Sequence, residues 1–260
     1  MTDHVDDDAD PRQDGDVTPL SKQLIRLQLP FLREHYHDLA QQAASHQWGH
    51  IDYLKRLIDG ELARREDKSL QRRIRSARLP FVKTLDQFQW TWPDKINRPQ
   101  IQNLFRLAFI EQKANVIFLG GVGLGKTHLA IALGHTACLR GHSVLFTTAI
   151  DIIHTLSAAI ATGSLKRAMR RYLTPSLLIV DELGYLPIDK LGADLLFQII
   201  SERYERGAIL LTTNRSYKHW PEILNHDSTL ASALLDRLLH HSETVLLEGK
   251  SFRAKGHLDS

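Results

Sequence analysis

The run Gly120-Gly121-Val122-Gly123-Leu124-Gly125-Lys126-Thr127 follows the apolar stretch Asn115-Val116-Ile117-Phe118-Leu119 and opens into His128-Leu129-Ala130-Ile131-Ala132-Leu133. It satisfies G-x-x-x-x-G-K-[ST] in the required context, a strand before and a helix after. Glycines in such a loop let backbone N–H groups wrap a phosphate at the positive end of the helix dipole. Lys126 neutralises the β/γ oxygens, and Thr127 offers a hydroxyl to Mg²⁺. Gly120 through Thr127, with His128 beside them, are therefore expected to hold a nucleoside triphosphate.

Around this loop β and α patterns alternate. The spacing predicts a helix over Gln100–Glu111 and strands over Val116–Leu119, Val144–Thr147, Leu177–Val180, Ile209–Thr213 and Thr244–Leu247, with helical segments between them. Near-continuous apolar strands separated by helices imply a mostly parallel sheet covered on both faces. Upstream the pattern changes. Leu24, Leu27, Leu32, Tyr36 and Leu39, then Ile51, Leu54, Leu57, Ile58 and Leu62, recur at helical spacing and predict a small all-helical domain over 19–79. Leu79-Pro80-Phe81 and the stretch through Trp90, Trp92 and Pro93 predict a linker over 80–98, ahead of a nucleotide-binding domain over 99–260. Residues 1–18 are polar and Asp-rich, as in a disordered tail.

Two further sites narrow the chemistry. Leu177-Leu178-Ile179-Val180-Asp181-Glu182 is an apolar strand ending in two carboxylates, delivered to the edge where open α/β sheets bind ligands. Asp181 is expected in the Mg²⁺ shell, and Glu182 as the general base that polarises water. Ile209-Leu210-Leu211-Thr212-Thr213 ends in Asn214, a neutral amide able to orient water without adding repulsive charge.

These pieces in this order resemble the AAA+ ATPases, with Walker A at Gly120–Thr127, Walker B at Leu177–Glu182 and a sensor-1 position at Asn214. Gly125-Lys126-Thr127-His128-Leu129-Ala130, Asp181-Glu182-Leu183-Gly184-Tyr185-Leu186-Pro187, Thr212-Thr213-Asn214 and Leu235-Asp236-Arg237-Leu238 resemble the IstB/DnaC branch, and IstB in particular, the helper ATPase of bacterial insertion sequences. The resemblance implies an ATP hydrolase with Mg²⁺, working as a homo-oligomer that assembles on double-stranded DNA and assists a transposase in target-site choice. It makes Arg237 an arginine finger acting on the neighbouring subunit and Arg253 a sensor-2 residue, although too few residues follow the last strand for a helical lid. A DnaC-like helicase loader, or an ATP-switched DNA-binding module with little turnover, would share most of these residues.

Charge supports a polyanionic partner. The chain of 260 residues carries a net +3, but Met1–Asp16 holds seven Asp against one Arg, which leaves +9 on the rest. Lys166, Arg167, Arg170 and Arg171 spread over one broad helix face, where the resemblance implies an extra helix facing the DNA backbone. A second cluster, Arg64-Arg65, Arg72-Arg73, Arg75 and Arg78, fits DNA or an acidic partner equally. The only cysteine, Cys138, sits in an apolar helix and excludes an intrachain disulfide. No apolar run is long enough for a membrane span, and the acidic start is unlike a signal peptide, so a cytoplasmic location is expected.

Overall fold

A computed structural model describes residues 18–252. The acidic tail through residue 17 and Arg253 lie outside the described residues. The chain divides into two compact units between Ser69 and Leu70.

The smaller unit contains α1 (Pro19–Arg26), α2 (Pro30–Ser45) and the first part of α3 (His50–Ala77). Thr18 caps α1 by accepting a hydrogen bond from Ser21 N, and prolines open both α1 and α2, where a missing N–H costs nothing. Gly60 lets α3 approach Phe31 closely, since a Cβ there would lie 2.0 Å from the ring. Glu61 is buried beside this contact and accepts the Phe31 N–H at 2.8 Å. The apolar spacing that predicts these helices does not all become core. Leu57 is buried, whereas Ile51, Leu54, Ile58 and Leu62 are 77, 51, 43 and 52% exposed and form a stripe along α3.

The larger unit follows as α4 (Arg98–Leu104), α5 (Ala108–Glu111), β1 (Asn115–Gly120), α6 (Lys126–Leu139), β2 (Val144–Thr148), α7 (Ala149–Ala161), α8 (Leu165–Leu173), β3 (Leu177–Leu183), α9 (Lys190–Arg203), β4 (Ala208–Thr213), α10 (Trp220–Ile223), α11 (Ser228–Leu239) and β5 (Ser242–Leu247). The five strands form one parallel sheet in the order β2-β3-β4-β1-β5. Alternate residues serve opposite faces: Ile117, Leu178, Val180, Ile209 and Leu211 join one core with α7, α9 and α11. Val116, Phe118, Leu177, Ile179 and Leu210 join another with α4, α5 and α6. This two-sided burial is why the strands read as unbroken apolar runs.

The single helix expected over Gln100–Glu111 is instead two. Leu107 adopts a left-handed backbone, φ 65°, which ends α4 and restarts the chain as α5. The stretch expected as a linker packs within the larger unit, with Phe88 buried in its core and Trp90 against it. No helical lid follows β5 among the described residues, and none of the described helices is long and apolar enough to cross a membrane.

Asn115, buried at the start of β1, ties three elements together. Its side chain donates to Leu238 O at 3.0 Å at the end of α11 and accepts from Ile209 N at 3.0 Å on β4, while its N–H donates to His241 O at 2.7 Å.

Candidate nucleotide-binding site

Because β1 lies between β4 and β5, and β3 lies beside β4, the carboxyl ends of β1, β3 and β4 fall on one edge of the sheet. The glycine loop leaves β1 there and enters α6 through Gly125, whose φ of 88° is left-handed. A side chain at Gly125 would also fail sterically, since its Cβ would lie 2.6 Å from the Phe88 ring. No side chain caps α6, so its first N–H groups are offered to a ligand. Lys126 Nζ donates to Gly120 O at 2.7 Å and Gly121 O at 2.6 Å, which keeps the ammonium over the loop.

Thr127 Oγ1 donates to Asp181, 3.0 Å from each carboxylate oxygen. Asp181 is buried at 3% exposure and also accepts from Thr212 Oγ1 at 2.5 Å. Thr212 Oγ1 in turn accepts from Glu182 N at 3.0 Å. A continuous polar chain therefore runs from the glycine loop through Asp181 and Thr212 to the backbone of Glu182. Glu182 has φ 60° at the point where the β3–β4 register shifts between Val180 and Leu183, and its side chain is exposed. Left-handed backbone costs a residue with a side chain about 1–3 kcal/mol and persists where the surroundings enforce it. Here the enforcing contacts are Thr212 and the bulge. Hydroxyl and carboxylate oxygens at this spacing are the hard donors that Mg²⁺ selects, so Thr127 and Asp181 fit such an ion.

Asn214 follows β4, and its Oδ1 is buried without a hydrogen-bond partner. A buried acceptor of this kind requires a donor to offset its desolvation. Arg237 lies on α11, donating to Ala233 O at 3.0 Å with its guanidinium 4.8 Å above the Phe197 ring. The basic quartet lies on α8, where Lys166, Arg167 and Arg170 are exposed and Arg171 packs 5.5 Å from the Tyr172 ring. The opposite side of α8 buries Met169 and Tyr172.

Sequence reasoning missed one wall of the site. A cleft of about 390 Å³ beside the loop is lined by Phe81, Phe88, Trp92 and Phe252 as well as Gly123–His128. Phe252 N donates to Gly123 O at 3.0 Å, and Trp92 meets the Phe252 ring edge-on at 5.1 Å. The only signal for this wall was the aromatic density of 81–92. His128 lines the cleft, but its Nε2–H donates to Thr84 O at 3.0 Å and its ring meets Phe88 edge-on, so it braces the wall. Burial lowers its pKa below 6.5, opposed by the Thr84 bond and reinforced by the charge of Lys83.

The sequence matches the family described as IstB-like ATP binding protein over residues 22–260. The chain belongs to that family. This IstB-like chain is 41% identical over 230 residues to an ATP-binding protein of insertion sequence IS5376 from Geobacillus stearothermophilus, covering 88% of itself and 91% of that relative. It is also 41% identical to the counterpart of insertion sequence IS21 from Pseudomonas aeruginosa, covering 89% and 87%. In fold it is similar to AMPPCP-bound DnaA from Aquifex aeolicus, with TM-score 0.54 and 22% identity over 66% of this chain and 52% of that one. It is likewise similar to the DnaC helicase loader, with TM-score 0.51 and 21% identity over 64% and 96%. The AAA+ fold is thereby established for the larger unit.

Proposed function

We propose that this IstB-like protein hydrolyses ATP while assembled on duplex DNA and thereby assists the transposase of an insertion sequence. The observation that carries the hydrolytic reading is the hydrogen-bonded chain Thr127–Asp181–Thr212–Glu182, with the unpaired Asn214 acceptor at the end of the neighbouring strand. The glycine loop and the N-terminus of α6 cradle the phosphates, and the aromatic cleft takes the base. Thr127 and Asp181 would hold Mg²⁺, which when bound would supply charge neutralisation to the triphosphate. Glu182 accepts the proton of the attacking water, while Asn214 accepts a hydrogen bond from that water and fixes its orientation. Arg237 acts on the site of the next subunit, which makes turnover depend on assembly.

The outward cations of α8 contact phosphates, giving binding that is indifferent to base sequence and steep in salt. The exposed stripe Ile51, Leu54, Ile58 and Leu62 supports contact between the smaller unit and the transposase. A helicase loader would share the same motor. The insertion-sequence names of the relatives favour transposition over that role.

Glu182→Gln tests the chemistry. The variant is expected to retain ATP and duplex DNA while turnover falls at least about 100-fold, and Lys126→Ala to lose nucleotide binding outright. Wild-type turnover in Glu182→Gln would exclude Glu182 as the base.

A further inference from the structure

Away from the nucleotide edge, three donor side chains converge where α9 and α11 end. Glu205 follows α9, and His240 and His241 join α11 to β5; one ligand atom from each lies within 4.8 Å of the others. All three are exposed, and His241 Nε2 stands 3.8 Å from Glu205 Oε1, too long for a hydrogen bond and open to an ion between them. The two imidazole rings lie 4.2 Å apart at 69°.

The backbone beneath these donors is fixed. Glu205 holds a left-handed φ of 58° in a turn closed by Arg206 N and Gly207 N, which both donate to Arg203 O. The carbonyl of His241 accepts from Asn115 N at 2.7 Å, anchoring it to the sheet. His240 is oriented as well, since its Nδ1 is 2.9 Å from Tyr204 Oη. A histidine whose second nitrogen is held by an oxygen is the arrangement that fixes tautomer and ring direction at metal sites.

We propose that Glu205, His240 and His241 form a binding site for a divalent transition ion of the zinc type. Two imidazoles and one carboxylate with an open fourth position suit a tetrahedral ion of borderline softness, and they discriminate against Mg²⁺, which prefers oxygen donors in an octahedron. The bound ion cross-links the ends of α9 and α11 and restrains the last turn of the helix that carries Arg237. The site is separate from the hard-oxygen pair Thr127 and Asp181.

The test is titration of the full chain with Zn²⁺ against a chromogenic chelator, and with Co²⁺ as a spectroscopic substitute. Co²⁺ is expected to give the intense visible bands of a tetrahedral site with nitrogen ligands. His241→Ala and Glu205→Gln are expected to weaken Zn²⁺ binding at least about tenfold, and Tyr204→Phe, which leaves all three ligands, about tenfold through loss of orientation. Zn²⁺ should raise the melting temperature of the wild type and not of His241→Ala. Glu205 and His241 are exposed and Tyr204 is half-buried, so none of these substitutions opens a cavity in the core. Equal Zn²⁺ affinity in wild type and His241→Ala, or Co²⁺ spectra of octahedral form in both, overturns the proposal.

Discussion

Thr212 occupies the middle of the site although Thr212-Thr213-Asn214 assigned it no role of its own, because a threonine pair in an apolar strand otherwise reads as ordinary β-branched filling. Its hydroxyl accepts from Glu182 N and donates to Asp181, so one atom sets both the carboxylate of the proposed Mg²⁺ site and the strained turn at Glu182, the proposed general base. Thr212→Val keeps the shape and removes the hydroxyl, leaving the Glu182 N–H unpaired at a cost of about 1–3 kcal/mol. Steady-state kinetics should show kcat lowered about 10- to 100-fold, as for other orienting partners, with ATP affinity nearly unchanged and recovery in Thr212→Ser. A uniform loss of nucleotide affinity would assign Thr212 to folding instead. The placement of Asp181 and Glu182 near the carboxyl end of β3 was legible because the apolar run ends in these two acids; the φ of 60° at Glu182 was not, since it follows from a register shift against β4. His128 carries a pH signature. Its folded pKa lies below 6.5, so between that lowered value and 6.5 the unfolded chain binds more protons and stability rises with pH. Stability is lost as pH falls through the same window. His128→Gln retains a donor for Thr84 O and should flatten the melting temperature between pH 7 and 5 relative to wild type; equal slopes would remove His128 as the cause.

Among the elements, the strands were legible almost to their ends because burial on both faces leaves an unbroken apolar signature. Residues 80–98 were not, because prolines and missing periodicity look alike in a linker and in a wall that follows the contour of a cleft. The break at Leu107 was hidden for a related reason: a leucine in left-handed conformation is held there by tertiary packing, with Leu107 itself 3% exposed, and gives no local sign. In α8, by contrast, the broad basic face was legible: Lys166, Arg167 and Arg170 are exposed, Arg171 is half-buried, and Met169 and Tyr172 face inward. The end of that helix is secured by Arg203, 1% exposed, which donates to the carbonyls of Tyr172, Leu173, Pro175, Ser176 and Ala208. Burial pushes its pKa down to about 10, still well above neutrality, so it stays charged against the carbonyl end of the helix dipole. Replacing Lys166, Arg167, Arg170 and Arg171 with alanine leaves this buried framework intact. Fluorescence anisotropy with duplex DNA at several salt concentrations should then show log affinity falling less steeply with log salt, by about 0.9 for each phosphate that is no longer neutralised. An unchanged slope would move the DNA path off α8.

For the molecule as a whole, the proposed division of labour between subunits makes a claim that single variants cannot test. Arg237→Ala keeps its own loop and Glu182, whereas Glu182→Gln keeps its arginine; each alone is expected to be nearly inactive on DNA. Mixed in equal amounts, they should regain turnover, because a Glu182→Gln subunit can lend Arg237 to a neighbour whose chemistry is intact. Activity no greater than the sum of the two separate preparations would place Arg237 outside the neighbouring site. Asn115 gives this assembly a further property. At one end of β1 the chain turns into the phosphate loop, and at the other Asn115 fastens the end of α11, the helix that holds Arg237. A strand of six residues spans about 20 Å and resists stretching once paired on both sides. The phosphate loop and the helix that carries Arg237 are therefore held at a fixed offset within the chain. In the assembly proposed above, that offset would set the step from one copy to the next.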